Sequence, residues 1–408
     1  MDIDARRGSL LVLVVATCTS VLTGPGQTIV VSVFIDHFVD DLSLSRAQVS
    51  GAYLIGTLVG AALLPFVGRL IDWRGVRSAQ IVIGFAFALA LVNMSRVTGL
   101  VTLAIGFTGI RFLGQGSLSL VSIVTVSLRF LRNRGTALGV FSTVSAGGMA
   151  LLPLALAVVI DDVGWRDAWL ISAGVVAMTV VPMAVFGLRE MPRGTAGLDA
   201  TMSNPDDERT VHFERSRAIR TRGFWMLAAV TGCSGMLATA LNFHQIDLLG
   251  EAGLSTSEAA ALFVPQVIGS TIAGLAVGWI SDRIGVRFLP AAGMGLLVIA
   301  HLLAAIVTPG IIVIAYAIVL GAMGGAVRTV AAVLLPRWFG TRHLGSIQGA
   351  LTFLGVAGSA LGPVALALVE GGFGSYRPAV LVLAVLPVAV MLFALVDVEP
   401  RIDEASGT

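Results

Sequence analysis

Long apolar stretches with almost no charge recur along the whole chain and limit what it can fold into. A helix needs about 20 mostly apolar residues to cross a bilayer. Only 12% of the 408 residues are charged, against about 25% in soluble domains. The sequence therefore predicts an all-α polytopic membrane protein with twelve transmembrane helices. The runs lie at 9–34, 47–68, 78–95, 99–127, 136–160, 168–188, 223–246, 257–280, 288–308, 310–335, 346–369 and 378–397.

The arginines are unevenly divided between the two ends of these runs. All 26 basic residues are arginine, and with a cytoplasmic N-terminus 20 of them fall on inner segments and 4 on outer ones. This is the bias of the positive-inside rule. An even helix count then predicts that both termini are cytoplasmic, in a plasma (inner) membrane. A signal peptide is disfavoured, because the first run exceeds signal length and no small-residue cleavage site follows it.

The two halves of the sequence repeat each other at an offset of 210 residues. GRLIDWRGVR at 68–77 recurs as GWISDRIGVR at 278–287, with glycine, acid, glycine and arginine in register. Further pairs are Leu44 and Leu254, Gly114 and Gly324, Arg132 and Arg342, Pro153 and Pro363, and Gly164 and Gly374. One offset across six helices predicts two parallel six-helix bundles. The expected divisions are 1–188, a cytoplasmic linker at 189–222, a second bundle at 223–397 and a tail at 398–408.

These motifs resemble those of the major facilitator superfamily. The repeated decapeptides look like its loop signature between helices 2 and 3 and between helices 8 and 9, and RFLGQGS at 111–117 resembles its arginine-glycine signature of helix 4. RNRGTALG, GWRDAW and RWFGTRHLGSIQG are similar to segments of the monocarboxylate and oxalate/formate transporter branches. Trp73 departs from the loop pattern, helix 8 lacks an Asp/Arg pair and helix 11 lacks a lysine. The proline-glycine signature of drug antiporters is absent from helix 5.

The resemblance implies a secondary active transporter that works as a monomer by alternating access. It also implies that the loop acids Asp72 and Asp282 latch neighbouring helices on the cytoplasmic side. Positive-inside anchoring, with each acid capping a helix, is the alternative interpretation of these loops. The gating group comprises these two acids with Arg77, Arg132, Arg283, Arg287 and Arg342.

Polar residues within the apolar runs are the candidates for substrate binding, because burying them in a membrane is costly. Arg111 and Arg328 lie deep within spans, whereas Asp and Glu residues occur only at span ends. A cavity with fixed positive charge attracts anions, and guanidinium pairs with carboxylates in bidentate geometry. The sequence therefore predicts a small organic anion, a monocarboxylate, as substrate. The remaining candidates are Gln115, Asn242, Gln27 and Gln245. Arg111 has an alternative role, in which it is tied to helix ends or backbone carbonyls.

Coupling to an ion gradient has few candidate residues. Bringing an anion into a negative-inside cell costs about 2.3 kcal/mol per 100 mV, so uptake calls for proton symport or anion exchange, whereas export can run unaided. Without a buried acid, His244 is the candidate for proton coupling, although a packed or headgroup-facing histidine is the alternative. His301 is expected at the lipid interface.

Other classes of function find little support in the sequence. No paired metal-ligand motif, nucleophile elbow or phosphate-binding loop is present, so neither an enzyme nor a cofactor is expected. The net charge of +2 does not indicate a nucleic-acid partner. The expected partners are the organic anion and the lipid bilayer. The main alternative is a proton-driven exporter of drugs or hydrophobic metabolites on the same fold.

Overall fold

A computed structural model of the protein describes residues 3–130, 134–188, 213–283, 287–339 and 344–396, and every regular element in these ranges is helical. Eleven helices are long and apolar enough to cross a membrane, and the helix at Leu289–Ala305 is a shorter apolar helix. The predicted all-helical membrane architecture is confirmed.

The first six of these apolar helices are α1 (Ile3–Leu22), α2 and α3 (Arg46–Ser95, before and after Gly75), α4 (Leu100–Ile110, Arg111–Leu118 and Ser119–Arg129), α5 (Arg134–Val163) and α6 (Trp165–Gly187). The others are α7 (Arg222–Phe243), α8 (Thr256–Ala261 and Phe263–Arg283), α9 (Leu289–Ala305), α10 (Ile311–Phe339), α11 (Leu344–Phe373) and α12 (Tyr376–Leu383 and Val385–Leu395).

The chain forms two compact units. The first unit is Met1–Leu198 with Thr256–Ala261, and the second unit is Asp199–Ser255 with Leu262–Thr408. Within the first unit α2 packs on α4 and α3 on α6, and within the second unit the Phe263–Arg283 part of α8 packs on α10 and α7 packs on α11. The predicted bundle boundaries stay a prediction. Most of the predicted linker and the whole predicted tail lie outside the described residues.

The first apolar run is broken at its Gly-Pro-Gly sequence, residues 24–26. α1 ends at Leu22 and is followed by a 3₁₀ turn at Gly24–Gly26. Pro25 has no N–H to donate and its ring disfavours a continued helix. Three short helical pieces follow, Thr28–Val31, Ser32–Phe34 and Ile35–Leu42, of which the last lies beyond the predicted run. The broken region exposes backbone carbonyls that a continuous helix would have satisfied.

α4 contains a wider helical turn that the sequence analysis did not predict. Residues Arg111–Leu118 form a π-helix, and the Ser117 hydroxyl donates to the Phe112 carbonyl five residues earlier, at 2.6 Å. π-Helical turns within α-helices are rare and occur frequently at functional sites. Because each turn holds more residues, the side chains after Arg111 are rotated relative to their positions in an α-helix.

At two pairs of positions the offset of 210 residues holds for backbone conformation. Ser43 and Gly253 both have positive φ, 52° and 91°. Gly164 lies directly before α6 and has a φ of 84°, and Gly374 lies two residues before α12 and has a φ of 71°. These conformations favour glycine. The two units therefore share the turn before the second helix of the repeat and the turn before its sixth helix.

An acid at the same place in each repeat bonds the start of the sixth helix of that repeat. In the first unit the Trp165 indole N–H donates to Asp41 at 2.6 Å. In the second unit Glu251 accepts from the Ser375 hydroxyl at 3.0 Å and from the Tyr376 backbone N–H at 3.2 Å. Acids are favourable at helix N-termini. The repeat thus conserves the contact between the acid and the helix while changing the donor.

Glycines allow helices to cross at backbone distance in the second unit. A Cβ at Gly321 would overlap the Gln266 carbonyl, and one at Gly325 would overlap the Ser270 carbonyl. These glycines lie four residues apart on α10, the spacing that places small residues on one helix face. α8 and α10 therefore form a close pair, without space for a methyl group between them.

Candidate functional site

Arg111 lies within the first unit and is bound by neutral groups. It is 4% exposed. Its Nε donates to the Thr57 hydroxyl at 3.0 Å, and its Nη1 donates to the Gly26 carbonyl at 3.1 Å and to the Thr28 hydroxyl at 3.4 Å. The guanidinium also lies over the Tyr53 ring, 4.6 Å from its centroid. Arg111 thus joins α4 to α2 and to the broken end of α1.

The glutamines near Arg111 are placed differently from each other. The Gln27 amide donates to the Thr23 hydroxyl at 3.1 Å. The Gln115 side-chain oxygen is buried and has no hydrogen-bond partner among the described residues. A buried amide oxygen without a partner is costly unless a ligand or water satisfies it. Of the two, Gln115 has the geometry that a ligand could complete.

Arg328 is the least engaged cation within a span that the structure describes. It lies near the middle of α10, its side chain is exposed, and its Nη2 donates to the Ser270 hydroxyl of α8 at 2.5 Å. A guanidinium has five N–H groups, and the described residues supply an acceptor to one of them. Charged side chains in spans nearly always face a bundle interior or a water-filled cavity. The exposed edge of Arg328 is therefore expected to meet water or a ligand.

Two of the candidate binding residues, Asn242 at the end of α7 and Gln245 in the short helix that follows, lie in the second unit. Asn242 has a buried side-chain oxygen without a partner among the described residues. Gln245, in the short helix Gln245–Gly250, accepts from the Gln266 amide of α8 at 2.6 Å. Both glutamines are buried. Gln245 therefore contacts α8, whereas Asn242 retains an unused acceptor.

His244 is packed inside the second unit, with both ring nitrogens bonded. It is 1% exposed, its Nε2 lies 3.0 Å from the Pro363 carbonyl, and its Nδ1 lies 3.0 Å from the Tyr376 hydroxyl. A carbonyl can only accept, so Nε2 carries the proton and, in the neutral ring, Nδ1 accepts from Tyr376. His244 thus links the end of α7 to α11 and α12.

The expectation for His301 was wrong. His301 is 1% exposed rather than interfacial, and its Nδ1 lies 2.9 Å from the Leu297 carbonyl one turn earlier in α9. The hydrogen bond between the imidazole and a carbonyl of its own helix offsets part of the cost of burying the ring. No Asp or Glu is among the buried residues of the described chain, and no metal-binding group of His, Cys, Asp or Glu occurs in the same ranges.

The predicted gating residues are only partly described. Arg77 donates to the Val185 carbonyl of α6 at 3.0 Å. Arg283 lies over the Trp279 ring at 4.2 Å and Arg287 over the Phe288 ring at 5.4 Å. The side chains of Asp72 and Asp282 lie outside the described part of the structure, as do residues Arg132 and Arg342. The latch between acid and arginine therefore stays a prediction.

Several polar residues that contact the candidates were missed in the sequence, four of them on α2 and α8. Thr57 and Tyr53 of α2 contact Arg111, while Ser270 and Gln266 of α8 contact Arg328 and Gln245. The signal available in the sequence was their spacing, since Tyr53 and Thr57, like Gln266 and Ser270, lie four residues apart and so share a helix face. Their partners could not be identified from spacing alone.

Comparison with known proteins gives a match over nearly the whole chain. The model of the Major Facilitator Superfamily matches residues 16–252 and 227–408. The solved structure of a bacterial homologue of the human lysosomal transporter Spinster, inward-facing and unoccupied, has a TM-score of 0.74 at 16% identity, covering 95% of this chain and 96% of that one. The nucleoside transporter NupG has a TM-score of 0.76 at 14% identity, covering 95% and 98%. Such identities show the fold alone.

Curated relatives match shorter segments. The uncharacterised MFS-type transporter YcxA of Bacillus subtilis is 27% identical over 40% of this chain and 38% of its own length. Monocarboxylate transporter 14 of Homo sapiens is 29% identical over 30% of this chain and 25% of its own. The puromycin resistance protein pur8 of Streptomyces alboniger is 27% identical over 60% and 43%. The chain thus spans less than half the length of these relatives.

Proposed function

Because the chain belongs to the major facilitator superfamily and is therefore a membrane transporter and not an enzyme, we propose that it carries a small organic anion, a monocarboxylate, by alternating access. The observation that supports the substrate class is Arg328, whose exposed guanidinium has one hydrogen-bond partner among the described residues, the neutral Ser270. No buried acid competes for it in the described chain. A fixed cation of this kind binds carboxylates with charge-assisted bidentate hydrogen bonds.

Arg111 has a structural role in this proposal. Its guanidinium donates hydrogen bonds to Thr57, Gly26 and Thr28 and so connects α4 to α2 and to the segment that follows α1. Arg111 is therefore proposed to stabilise the first unit, whereas Arg328 of the second unit is proposed to contact the anion. Each unit has one further candidate for a polar contact, Gln115 in the first and Asn242 in the second, because each has a buried oxygen without a partner in the described chain.

The first test is a ligand panel on the purified protein in detergent. A ligand that binds only the folded state raises the melting temperature by mass action. We expect stabilisation by monocarboxylates such as acetate, butyrate and benzoate, and loss of that stabilisation in Arg328→Gln. Arg328→Lys is the matched control, since it keeps the charge but loses the planar fork, and we expect it to bind at least tenfold more weakly than the parent, about 1.4 kcal/mol.

The same panel tests the alternative function. The similarity to a puromycin resistance protein over 60% of this chain favours, as second candidate, a proton-driven exporter of drugs or hydrophobic metabolites. Stabilisation by lipophilic cations or bulky apolar compounds, with no response to carboxylates and no effect of Arg328→Gln, would contradict the anion proposal and support the exporter.

We propose proton symport through His244, with anion exchange as the other mode. His244→Gln is expected to abolish carboxylate accumulation driven by an inward pH gradient in proteoliposomes while leaving counterflow intact, because glutamine bonds but does not titrate near neutral pH. Tyr376→Phe is the control, as it removes the hydroxyl partner but keeps the imidazole. If His244→Gln still accumulates substrate against its gradient, His244 is a packing residue and exchange is the mode.

The membrane placement and gating are further parts of the proposal. The arginine distribution supports an inner-membrane location with both termini cytoplasmic, and single-chain members of the superfamily support a monomer. The loop acids Asp72 and Asp282 are proposed to latch the cytoplasmic side with the arginines that follow them. Exchanging Asp282 for Asn is expected to slow transport without changing the amount of folded protein, measured as initial uptake rate per mole of reconstituted transporter.

A further inference from the structure

The position of the Arg328 side chain is set by two neighbours, one on its own helix and one on α8. Its Nη1 lies 3.5 Å from where a Cβ on Gly324 would be. The side chain therefore runs back along α10 over the preceding turn, the direction that helical geometry favours. Its Nη2 donates to Ser270 at 2.5 Å. Gly324 leaves space for one end of the guanidinium, and Ser270 bonds the other.

Ser270 is itself held in place by the helix crossing. Its backbone carbonyl meets α10 at Gly325, where a Cβ would overlap it. Serine is a short side chain with a single χ angle, so fixing its backbone fixes its hydroxyl within a small region. The hydroxyl that accepts from Arg328 is thus anchored to the same helix that carries Arg328.

The repeated fold does not require the hydrogen bond between Arg328 and Ser270. At the offset of 210 residues, Ser270 and Arg328 correspond to Gly60 and Leu118 of the first unit, whereas Gly324 corresponds to Gly114. The crossing of α2 and α4 in the first unit therefore forms without a serine and an arginine at these positions. A polar pair that appears in one copy of the repeat and not in the other is better explained by a function of that copy than by packing.

We propose that Ser270 is a positioning residue of the anion site, and that it orients Arg328 so that the remaining N–H groups of the guanidinium form the carboxylate-binding edge. This inference rests on the proposed function. One of the five donors is used by Ser270. Holding the plane of the guanidinium before the ligand arrives lowers the conformational entropy lost on binding.

The test compares hydroxyl deletions one residue apart on α8. Ser270→Ala is expected to raise the KM for the monocarboxylate that most stabilises the parent, among acetate, butyrate and benzoate, by about tenfold, with maximal rate within about twofold of the parent. Ser270→Thr keeps the hydroxyl and is expected to restore the parental KM. Thr271→Ala is the matched control, because that hydroxyl donates to the Val267 carbonyl of its own helix at 2.9 Å.

A second measurement separates orientation from packing. In an Arg328→Gln background, Ser270→Ala is expected to have no further effect on carboxylate affinity, since both changes act on one group. A parental KM in Ser270→Ala, together with weak binding in Arg328→Gln, would overturn this inference and leave the proposed function intact. Equal losses in Ser270→Ala and Thr271→Ala would also overturn it. If no carboxylate stabilises or is transported by the parent, the proposed function and this inference fail together.

Discussion

Replacing Gly321 with alanine is expected to separate α10 from α8 and to lower the apparent melting temperature by roughly 5 °C or more. The added methyl group would overlap the Gln266 carbonyl, and a backbone atom cannot move aside as the end of a flexible side chain can. The measurement is a thermal unfolding curve of the protein in detergent, with the yield of monodisperse protein as a second readout.

Gly174 on α6 is the control for this experiment. It is exposed and has nothing within 4 Å of its Cβ position. Alanine there is expected to leave stability unchanged or raise it, because alanine favours a helix over glycine by about 1 kcal/mol. The two substitutions are chemically identical and differ in the space around them. Equal melting temperatures for the two variants would show that the close crossing of α8 and α10 does not contribute to stability.

Arg111→Met is expected to lower the melting temperature by roughly 5–10 °C and to reduce the folded yield, whether or not ligand is present. Methionine fills similar volume but cannot donate to Thr57 and Gly26, which accept from Arg111 at 3.0 and 3.1 Å. A buried acceptor that loses its donor costs about 1–3 kcal/mol. Within a membrane, water does not readily replace the missing donor.

Arg328→Met is the counterpart of this substitution and is expected to show the opposite pattern. Its guanidinium is exposed and has one hydrogen-bond partner in the part of the chain that the structure describes, so stability is expected to change little while carboxylate transport is lost. The pair of variants thus separates the two arginines by readout. A well-folded Arg111→Met protein with the parental melting temperature and no carboxylate binding would place Arg111 in the substrate site instead.

The architecture could be predicted because it depends on patterns that are local or repeated. The apolar runs predict the spans by length, and the 210-residue offset holds for the positive φ angles of Gly164 and Gly374 as well as for their sequence. The break after α1 could be predicted too, since Pro25 between two glycines disfavours a continuous helix. These features require no knowledge of which helices pack together.

The contacts of the candidate site could not be predicted in the same way. The close-approach glycines differ between the two units. In the second unit they lie on both helices, at Gly269 of α8 and at Gly321 and Gly325 of α10. In the first unit Gly56 and Gly60 of α2 meet α4, and the residues that correspond to Gly321 and Gly325 are Arg111 and Gln115. Repeat symmetry alone would have placed equivalent residues in equivalent contacts.

The hydrogen bond from Arg111 to Gly26 has a consequence for how the chain enters the membrane during synthesis. The two residues are 85 positions apart, so at about 5–20 residues per second the ribosome needs roughly 4–17 s to make the donor after the acceptor. During that time the broken end of the first helix has to keep its carbonyl in contact with water or the insertion machinery. Lateral release of α1 into lipid is therefore expected to wait until α4 has been made, so that these helices enter the bilayer as a group.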